Sequence, residues 1–142
     1  MGKLVSKKHF DVIFCSDLKR AVDSAELGFG DKYKIIQDKR LRECNYGDFT
    51  RKSTESFKSK MSDYVDKSFP NGESYRDVEK RIADFLRHLK KNYDGKHIAI
   101  VAHQALQLAL DVLINGKTWR QAIDEDWRNK KAWQSGWNYT LK

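Results

Sequence analysis

Short apolar runs alternate with longer amphipathic segments along the chain, and this alternation is typical of an α/β protein. Residues 10–15 (FDVIFC) and 97–102 (HIAIVA) are largely apolar at successive positions, which predicts strands covered on both faces. Residues 33–36 (YKII) predict another strand, and residues 137–141 (WNYTL) a last one. Strands that alternate with helices predict a three-layer α/β/α sandwich around a mostly parallel sheet.

Apolar residues at helical spacing predict the first two helices. Residues 16–28 carry an apolar stripe on one face, with Ser16 as the cap, Asp17 in the first turn and Gly28 as the stop. Residues 54–69 have the same spacing and end before a Pro-Asn-Gly turn. Each helix is therefore expected to bury one face against the rest of the protein.

Capping residues mark the later helices. Ser74 and Asp77 form a capping-box-like pair at the start of a long amphipathic segment that stops at an Asp-Gly turn. Residues 104–114 predict a helix closed by Asn-Gly, and residues 118–127 predict another, capped by Thr118. The helices and the predicted strands together account for most of the chain.

Length and composition predict one domain over residues 1–142, with enough hydrophobic residues, 39%, to bury a core. No apolar run approaches the ~20 residues of a membrane span, and no signal segment precedes the domain. The two cysteines, Cys15 and Cys44, do not form a CxxC or Cys/His cluster that would hold zinc. We therefore expect a cytoplasmic protein with free thiols and no bound metal.

The net charge of +8 implies attraction to anions, which include phosphorylated metabolites, nucleic acids and acidic surfaces. The lysines are scattered along the whole chain, and aromatic residues are not interleaved with arginine as in a single-strand binder. A solvated, lysine-rich surface is the simplest interpretation, and a basic nucleic-acid-binding domain is the least favoured one.

Chemistry-bearing side chains follow the predicted strands at their carboxyl ends, where α/β sheets bind ligands. Ser16 and Arg20 follow the first strand, Arg42 and Glu43 the second, and His103 the strand at 97–102. Arginine, glutamate and histidine at one edge suit phosphoryl transfer, because cations stabilise the phosphoryl oxygens and a carboxylic acid protonates the leaving group. Taken singly, these residues have ordinary alternatives: a solvated Arg20, an Arg42–Glu43 ion pair and a buried core His103.

Four segments in chain order resemble the histidine phosphatase superfamily, the phosphoglycerate-mutase-like enzymes. The segments are FDVIFCSDLKRAVDSAE, LRECNYGDF, PNGESYRDVEKRIADFL and HIAIVAHQALQLAL. They are similar to the family's Ser-x-Leu-x-Arg-Ala segment, Leu-x-Glu-x-x-x-Gly loop, Gly-Glu-Ser helix and Val-(Ser/Ala)-His-Gly turn, and they cover residues 10 to about 115. The resemblance implies a phosphoglycerate-mutase-like fold that acts on a small phosphate ester through a phosphohistidine, without a metal or organic cofactor.

The resemblance also implies residue roles. Arg20 would bind the phosphoryl group, Glu43 would protonate the leaving oxygen, and His103 would be the second active-site histidine, donating to the phosphoryl oxygens. Ser16 and Arg42 would be supporting phosphate contacts. Hydrolysis is favoured over mutase chemistry because the short connections between residues 44 and 72 leave little room for extra lid elements.

Three further positions belong to the same motifs. Glu73 and Ser74 are expected to cap and orient the following helix rather than to touch substrate. Gln104 stands where the family usually has glycine, and we expect it to narrow the mouth of the pocket.

The family's nucleophile is a histidine in an Arg-His-Gly triplet, and this sequence contains no such triplet. His9 and His97 precede predicted strands and His88 lies within a helix, so none of these is expected to reach the pocket. MGKLVSKK resembles the tail of the helix that follows the family's first strand, so we expect that first strand to be missing and catalysis to be absent or impaired.

A missing interior strand would leave backbone groups unpaired at the edge of the sheet. We therefore expect either a domain-swapped or edge-paired homodimer, or a sheet that has closed over the gap. The main alternative function is a non-catalytic anion-binding or scaffold module that has kept the pocket without its nucleophile.

Overall fold

The computed structural model describes residues 9–50, 58–126 and 136–141. The chain divides into two compact units, each assembled from two stretches that are distant in sequence. These are Met1–Arg42 with Phe85–His103, and Glu43–Asp84 with Gln104–Lys142. The single domain over residues 1–142 stays a prediction.

A three-stranded parallel sheet lies in the first unit, in the order β2-β1-β3. Its strands are β1 (Val12–Cys15), β2 (Ile35–Gln37) and β3 (Ile98–Val101). The predicted α/β class with a parallel sheet is confirmed, and the strand predicted at 33–36 begins two residues later, at Ile35. The strand predicted as buried at 97–102 is half-buried along its length, because it pairs with β1 along one edge only in the described part of the chain.

The central position of β1 follows from its apolar sequence, since all four of its residues are buried. Ile13 pairs with Ile35 of β2 and with Ala99 of β3. The ring of Phe14 meets that of Phe85 edge-on, with 5.2 Å between the ring centroids. Burial of each such side chain contributes about 1.5–3 kcal/mol.

Helix α1 (Lys19–Phe29) packs against all three strands of the sheet. The prediction that Ser16 caps this helix is wrong, because the N-cap is Leu18 and no side chain caps it. The Ser16 hydroxyl is buried and accepts a hydrogen bond from the Leu18 N–H (3.2 Å), which forms a turn before the helix. Gly28 does not stop the helix, which continues to bury Phe29 and ends at Gly30.

Two helices of the second unit begin with capping interactions that the sequence predicts. The Ser74 N–H donates to Asp77 Oδ2 (3.0 Å) and the Asp77 N–H donates to Ser74 Oγ (3.1 Å), a reciprocal capping box. Thr118 and Gln121 form a second box. The helices are α2 (Tyr75–Asn92), whose residues up to Asp84 belong to this unit, α3 (Gln104–Leu113) and α4 (Trp119–Asp124).

The single helix predicted over 54–69 is wrong. The described part of that segment is a 3₁₀ helix, Lys58–Tyr64, and residues 51–57 lie outside the described residues. Phe69 lies beyond that helix, where its N–H donates to the Glu73 carbonyl (2.9 Å) and its ring stacks on Tyr64 with centroids 4.1 Å apart. Apolar residues at helical spacing are therefore buried here by a short 3₁₀ helix and the turn after it, rather than by one continuous helix.

The strand predicted at 137–141 is also wrong, because this segment pairs with no strand in the described residues. Tyr139 attaches it instead, as its hydroxyl donates to Asp111 Oδ1 (2.9 Å) and lies 3.4 Å from the Gln107 carbonyl oxygen. Burial raises the pKa of the Tyr139 hydroxyl. Within this segment, Tyr139 therefore docks through its side chain rather than through a backbone ladder.

Candidate active site

Ser16 and His103 meet at the carboxyl end of the sheet in the first unit. The last residue of β1, Cys15, pairs with the last residue of β3, Val101, and the Ser16 N–H donates to the Val101 carbonyl (3.0 Å). This pairing brings the residues that follow the two strands together, and His103 Nε2 lies 2.9 Å from Ser16 Oγ. The hydrogen bond fixes the orientation of the imidazole ring.

Arg20 is the second residue of α1, the helix that follows β1. Its side chain is exposed, and within the residues that the structure describes it makes no hydrogen bond or ion pair. A guanidinium in this position is available to an anion at the carboxyl end of the sheet.

Arg42 forms a two-pronged ion pair with Asp17 in the same unit. Its Nε and Nη2 atoms donate to the two carboxylate oxygens of Asp17, each at 2.7 Å. The hydrogen bond from Arg42 lowers the pKa of the Asp17 carboxyl, and the same bond raises the pKa of the Arg42 guanidinium. Asp17 precedes Leu18, the N-cap of α1, so the prediction that Asp17 lies in the first turn of this helix is wrong. The alternative ion pair of Arg42 with Glu43 stays a prediction.

Glu43 belongs to the second unit, where its carboxylate caps the start of α3. Its Oε1 atom accepts hydrogen bonds from the Ala105 N–H (3.1 Å) and from the Cys44 N–H (2.9 Å). Ala105 is the second residue of α3, so its N–H is one of those that the helix itself leaves without a partner. Over the described ranges of the chain, Oε2 makes no hydrogen bond, so this oxygen can face a ligand.

The loop that carries Glu43 packs backbone to backbone against the turn that precedes α2. The Asp48 N–H donates to the Pro70 carbonyl, and the Glu73 N–H donates to the Asn45 carbonyl, both at 2.8 Å. A Cβ atom on Gly47 would lie 1.9 Å from the Pro70 carbonyl oxygen, and Gly47 has a φ of +56°. Glycine at this position of the Leu-x-Glu-x-x-x-Gly motif is required by both backbone conformation and space.

Two residues of α2 and its preceding turn support this loop. Arg81 donates to Glu73 through Nε and Nη2, both at 3.0 Å, and its Nη2 also lies 3.1 Å from the Glu43 carbonyl oxygen. Glu73 Oε1 accepts a hydrogen bond from the Asn45 N–H (2.9 Å). Of the two residues expected to cap α2, Ser74 does so, whereas Glu73 instead joins Arg81 to the loop. Sequence reasoning did not identify Arg81.

Two of the remaining histidines, His9 and His97, lie at the amino end of the strands. His97 precedes β3, and its Nδ1 lies 2.9 Å from the His9 carbonyl oxygen, at the amino end of the strands. His88 lies in α2, where its Nδ1 is 3.2 Å from Asn92 Nδ2. His9 and His97 therefore do not share the edge at which Ser16 and His103 meet.

Gln104, the first residue of α3, is held by a hydrogen bond from its Nε2 to the carboxylate of Asp126. Asp126 is buried, so this amide has a fixed position in the second unit. The expected narrowing of a pocket by Gln104 stays a prediction.

Both cysteines are free and buried, and burial raises the pKa of each thiol, which opposes a nucleophilic role. The described residues contain no group of three or more His, Cys, Asp or Glu side chains arranged to hold a metal ion. No helix in those residues is both long enough and apolar enough to cross a membrane.

The fold resembles that of several solved structures. The structure of Bacillus stearothermophilus YhfR superposes with a TM-score of 0.73 and 23% identity, covering 85% of this chain and 64% of that one. The structure of a mycobacterial glucosyl-3-phosphoglycerate phosphatase superposes with a TM-score of 0.71 and 22% identity, covering 87% and 67%. The architecture is thus that of the phosphoglycerate-mutase-like fold.

The family follows from the sequence comparison. The model of the histidine phosphatase superfamily (branch 1) matches residues 1–132, and the chain belongs to that superfamily. Phosphoserine phosphatase 1 of Hydrogenobacter thermophilus is 26% identical over 137 residues, which are 87% of this chain and 65% of that protein. The adenosylcobalamin/alpha-ribazole phosphatase of Escherichia coli is 26% identical over 106 residues, 68% of this chain. The chain spans 65% and 52% of the lengths of these two relatives.

Proposed function

We propose that this chain supplies the phosphoryl-binding and acid-catalysis residues of a phosphatase that hydrolyses a small phosphate monoester. The observation that carries the proposal is the Ser16–His103 hydrogen bond at the carboxyl end of a parallel sheet, where α/β folds bind ligands. Membership of the histidine phosphatase superfamily supports the same chemistry.

The proposed reaction has two steps. A histidine nitrogen attacks the phosphorus, the bond from phosphorus to the leaving oxygen breaks, and Glu43 gives that oxygen a proton. Water then attacks the phosphorus of the phosphohistidine, the bond from phosphorus to the histidine nitrogen breaks, and Glu43 takes a proton from the water as inorganic phosphate leaves. Arg20 and His103 hold the phosphoryl oxygens as their negative charge grows.

Ser16 and Arg42 support the phosphate site in this proposal. Ser16 is fully buried, and its contribution runs through the ring of His103 that it orients. Arg42 is half exposed and anchored by Asp17, which presents it as a fixed positive charge rather than as a mobile one. The short connections between residues 44 and 72 favour hydrolysis over phosphoryl transfer between two sugars or acids.

We propose that the nucleophilic histidine is not among the residues of this sequence and that the chain alone is inactive or impaired. His9 and His97 lie at the amino end of the strands, His88 lies within α2 beside Asn92, and His103 has the phosphoryl-binding role in this proposal. A non-catalytic anion-binding or scaffold module is the second candidate, favoured by the same observation and by the net charge of +8.

Hydrolysis of p-nitrophenyl phosphate separates the two candidates. The chain alone is expected to show no turnover above buffer, whereas a variant extended by an amino-terminal segment that carries Arg-His-Gly is expected to hydrolyse the ester. A matched extension with Arg-Ala-Gly is the control and is expected to stay inactive. If neither extension produces turnover while inorganic phosphate still binds, the non-catalytic module is the better assignment.

We also propose an edge-paired homodimer in a reducing, cytoplasmic setting. Within the described residues, one edge of β3 has no pairing strand, and an unpaired edge favours pairing with a second copy. The two buried free thiols fit a reducing compartment. Sedimentation should show a dimer that charged substitutions along β3 dissociate, and a monomer at high protein concentration would contradict the dimer.

A further inference from the structure

We infer that Arg81 is a positioning residue for Glu43, acting through the backbone of the loop and through Glu73. The inference rests on the proposed role of Glu43 as the acid. Arg81 Nη2 donates to the Glu43 carbonyl (3.1 Å), so it holds the backbone of the residue whose carboxyl is to transfer the proton.

Glu73 holds the next part of the same loop. Its backbone N–H donates to the Asn45 carbonyl (2.8 Å), and its Oε1 atom accepts from the Asn45 N–H (2.9 Å). Because Glu73 is also bonded to Arg81 at two points, the loop is fixed at Glu43 and again two residues later by a single charged pair. The loop therefore has little freedom to rotate about its long axis.

The side chain of Glu43 is fixed at its far end as well. Its Oε1 accepts hydrogen bonds from the Ala105 N–H and the Cys44 N–H, which leaves Oε2 as the oxygen that can meet a leaving group. A backbone shift of the loop would lengthen the 3.1 Å bond to Ala105 and displace the carboxyl group. A displacement of a reacting group by about 1 Å is enough to slow the reaction that it catalyses.

The identity of residue 81 matters because an arginine can serve three acceptor atoms at once. The Arg81 and Glu73 side chains are only 20% and 26% exposed, so their pairing is partly shielded from water. A lysine has one nitrogen atom and cannot reproduce the planar fork that joins the Glu73 carboxylate to the Glu43 carbonyl. Arg81→Lys keeps the charge and tests the geometry alone.

The test measures amide hydrogen exchange by NMR in the full chain, so it needs no turnover. The Ala105 N–H lies in the first turn of α3, where the helix gives it no partner, so its protection reports the bond to Glu43. Arg81→Lys is expected to speed exchange at Ala105 and Cys44 about tenfold, and Glu43→Ala sets the limit for complete loss of the bond.

Arg76→Lys is the matched control, because Arg76 lies on the same helix and pairs with Asp66 and Glu79. It should leave the Ala105 rate unchanged. The buried Leu108 N–H, in the interior of α3, reports any general loss of stability, and Glu73→Gln replaces Arg81→Lys if the latter unfolds.

An Ala105 rate that changes in Glu43→Ala but not in Arg81→Lys or Glu73→Gln would overturn the inference. Equal acceleration of amide exchange at Ala105 and Leu108 in Arg81→Lys would mean that Arg81 has only a general structural role, which would also overturn the inference. A failure of the proposed function would instead appear in the separate assays, as absence of phosphate binding or as no turnover by the variant extended with Arg-His-Gly, while these exchange rates stayed readable.

Discussion

Alanine at Gly47 is expected to destabilise the protein far more than alanine at another glycine with a positive φ. Gly47 has a φ of +56°, and an alanine Cβ there would lie 1.9 Å from the Pro70 carbonyl oxygen and 2.7 Å from the Gly72 nitrogen. Gly116 has a φ of +73°, but a Cβ there meets no atom within 4 Å. Alanine at either position therefore has the cost of a left-handed backbone, and only alanine at Gly47 also meets atoms of another loop.

The magnitude follows from the hydrogen bonds between the two loops. Left-handed backbone costs a non-glycine residue about 1–2 kcal/mol, a cost common to both variants. Relief of the 1.9 Å contact requires the loops to separate by more than about 1 Å, which breaks the 2.8 Å bonds from Asp48 to Pro70 and from Glu73 to Asn45. At about 1 kcal/mol for each bond, Gly47→Ala should cost about 3–4 kcal/mol and Gly116→Ala about 1–2 kcal/mol.

Urea denaturation of both variants, followed by circular dichroism, gives the two free energies of unfolding. The difference between them, about 2 kcal/mol, isolates the contact from the strain. Equal destabilisation by the two substitutions, to within the error of the extrapolation, would refute the close packing of the two loops.

Two further outcomes concern stability. The Ser74 N–H lowers the pKa of the Asp77 carboxyl, so Asp77 stabilises the fold above its unfolded pKa of about 4, and this contribution is lost as pH falls through the lower folded value. Asp77→Asn should therefore lower the free energy of unfolding at pH 7 and leave it nearly unchanged at pH 2, and an equal loss at both would count against the capping box. Tyr139→Phe removes the hydrogen bond to Asp111 and should cost about 1 kcal/mol in urea denaturation, and no measurable loss would mean that the bond is not formed.

The elements that could be predicted are those whose signals are local. The apolar run at β1 and the capping pair of Ser74 and Asp77 determine their structures through neighbouring residues, so sequence reasoning identified them. Ser16 has the sequence features of a helix cap, but in the folded chain its hydroxyl forms a hydrogen bond with His103, 87 residues away. Local patterns cannot anticipate such a competing partner.

The contacts of the candidate site also divide into those that the sequence predicts and those that it does not. The position of His103 beside Ser16 follows from strands that end at the same edge of a parallel sheet, which the sequence pattern already indicates. The pairing of Arg42 with Asp17, 25 residues away, could not be predicted from spacing. The bond from Arg81 to the Glu43 carbonyl spans 38 residues and is likewise visible only in the folded chain.

The central claim is that this chain binds a phosphoryl group at the carboxyl end of its sheet, and NMR of the side-chain nitrogens tests it most directly. Titration with inorganic phosphate should shift the imidazole signals of His103 and the guanidinium signal of Arg20 in a saturable way. The signals of His97, at the amino end of the strands, should stay in place, and Arg20→Gln should weaken the response of His103. Saturation with phosphate that leaves His103 and Arg20 unmoved, or that moves His97 equally, would contradict the account.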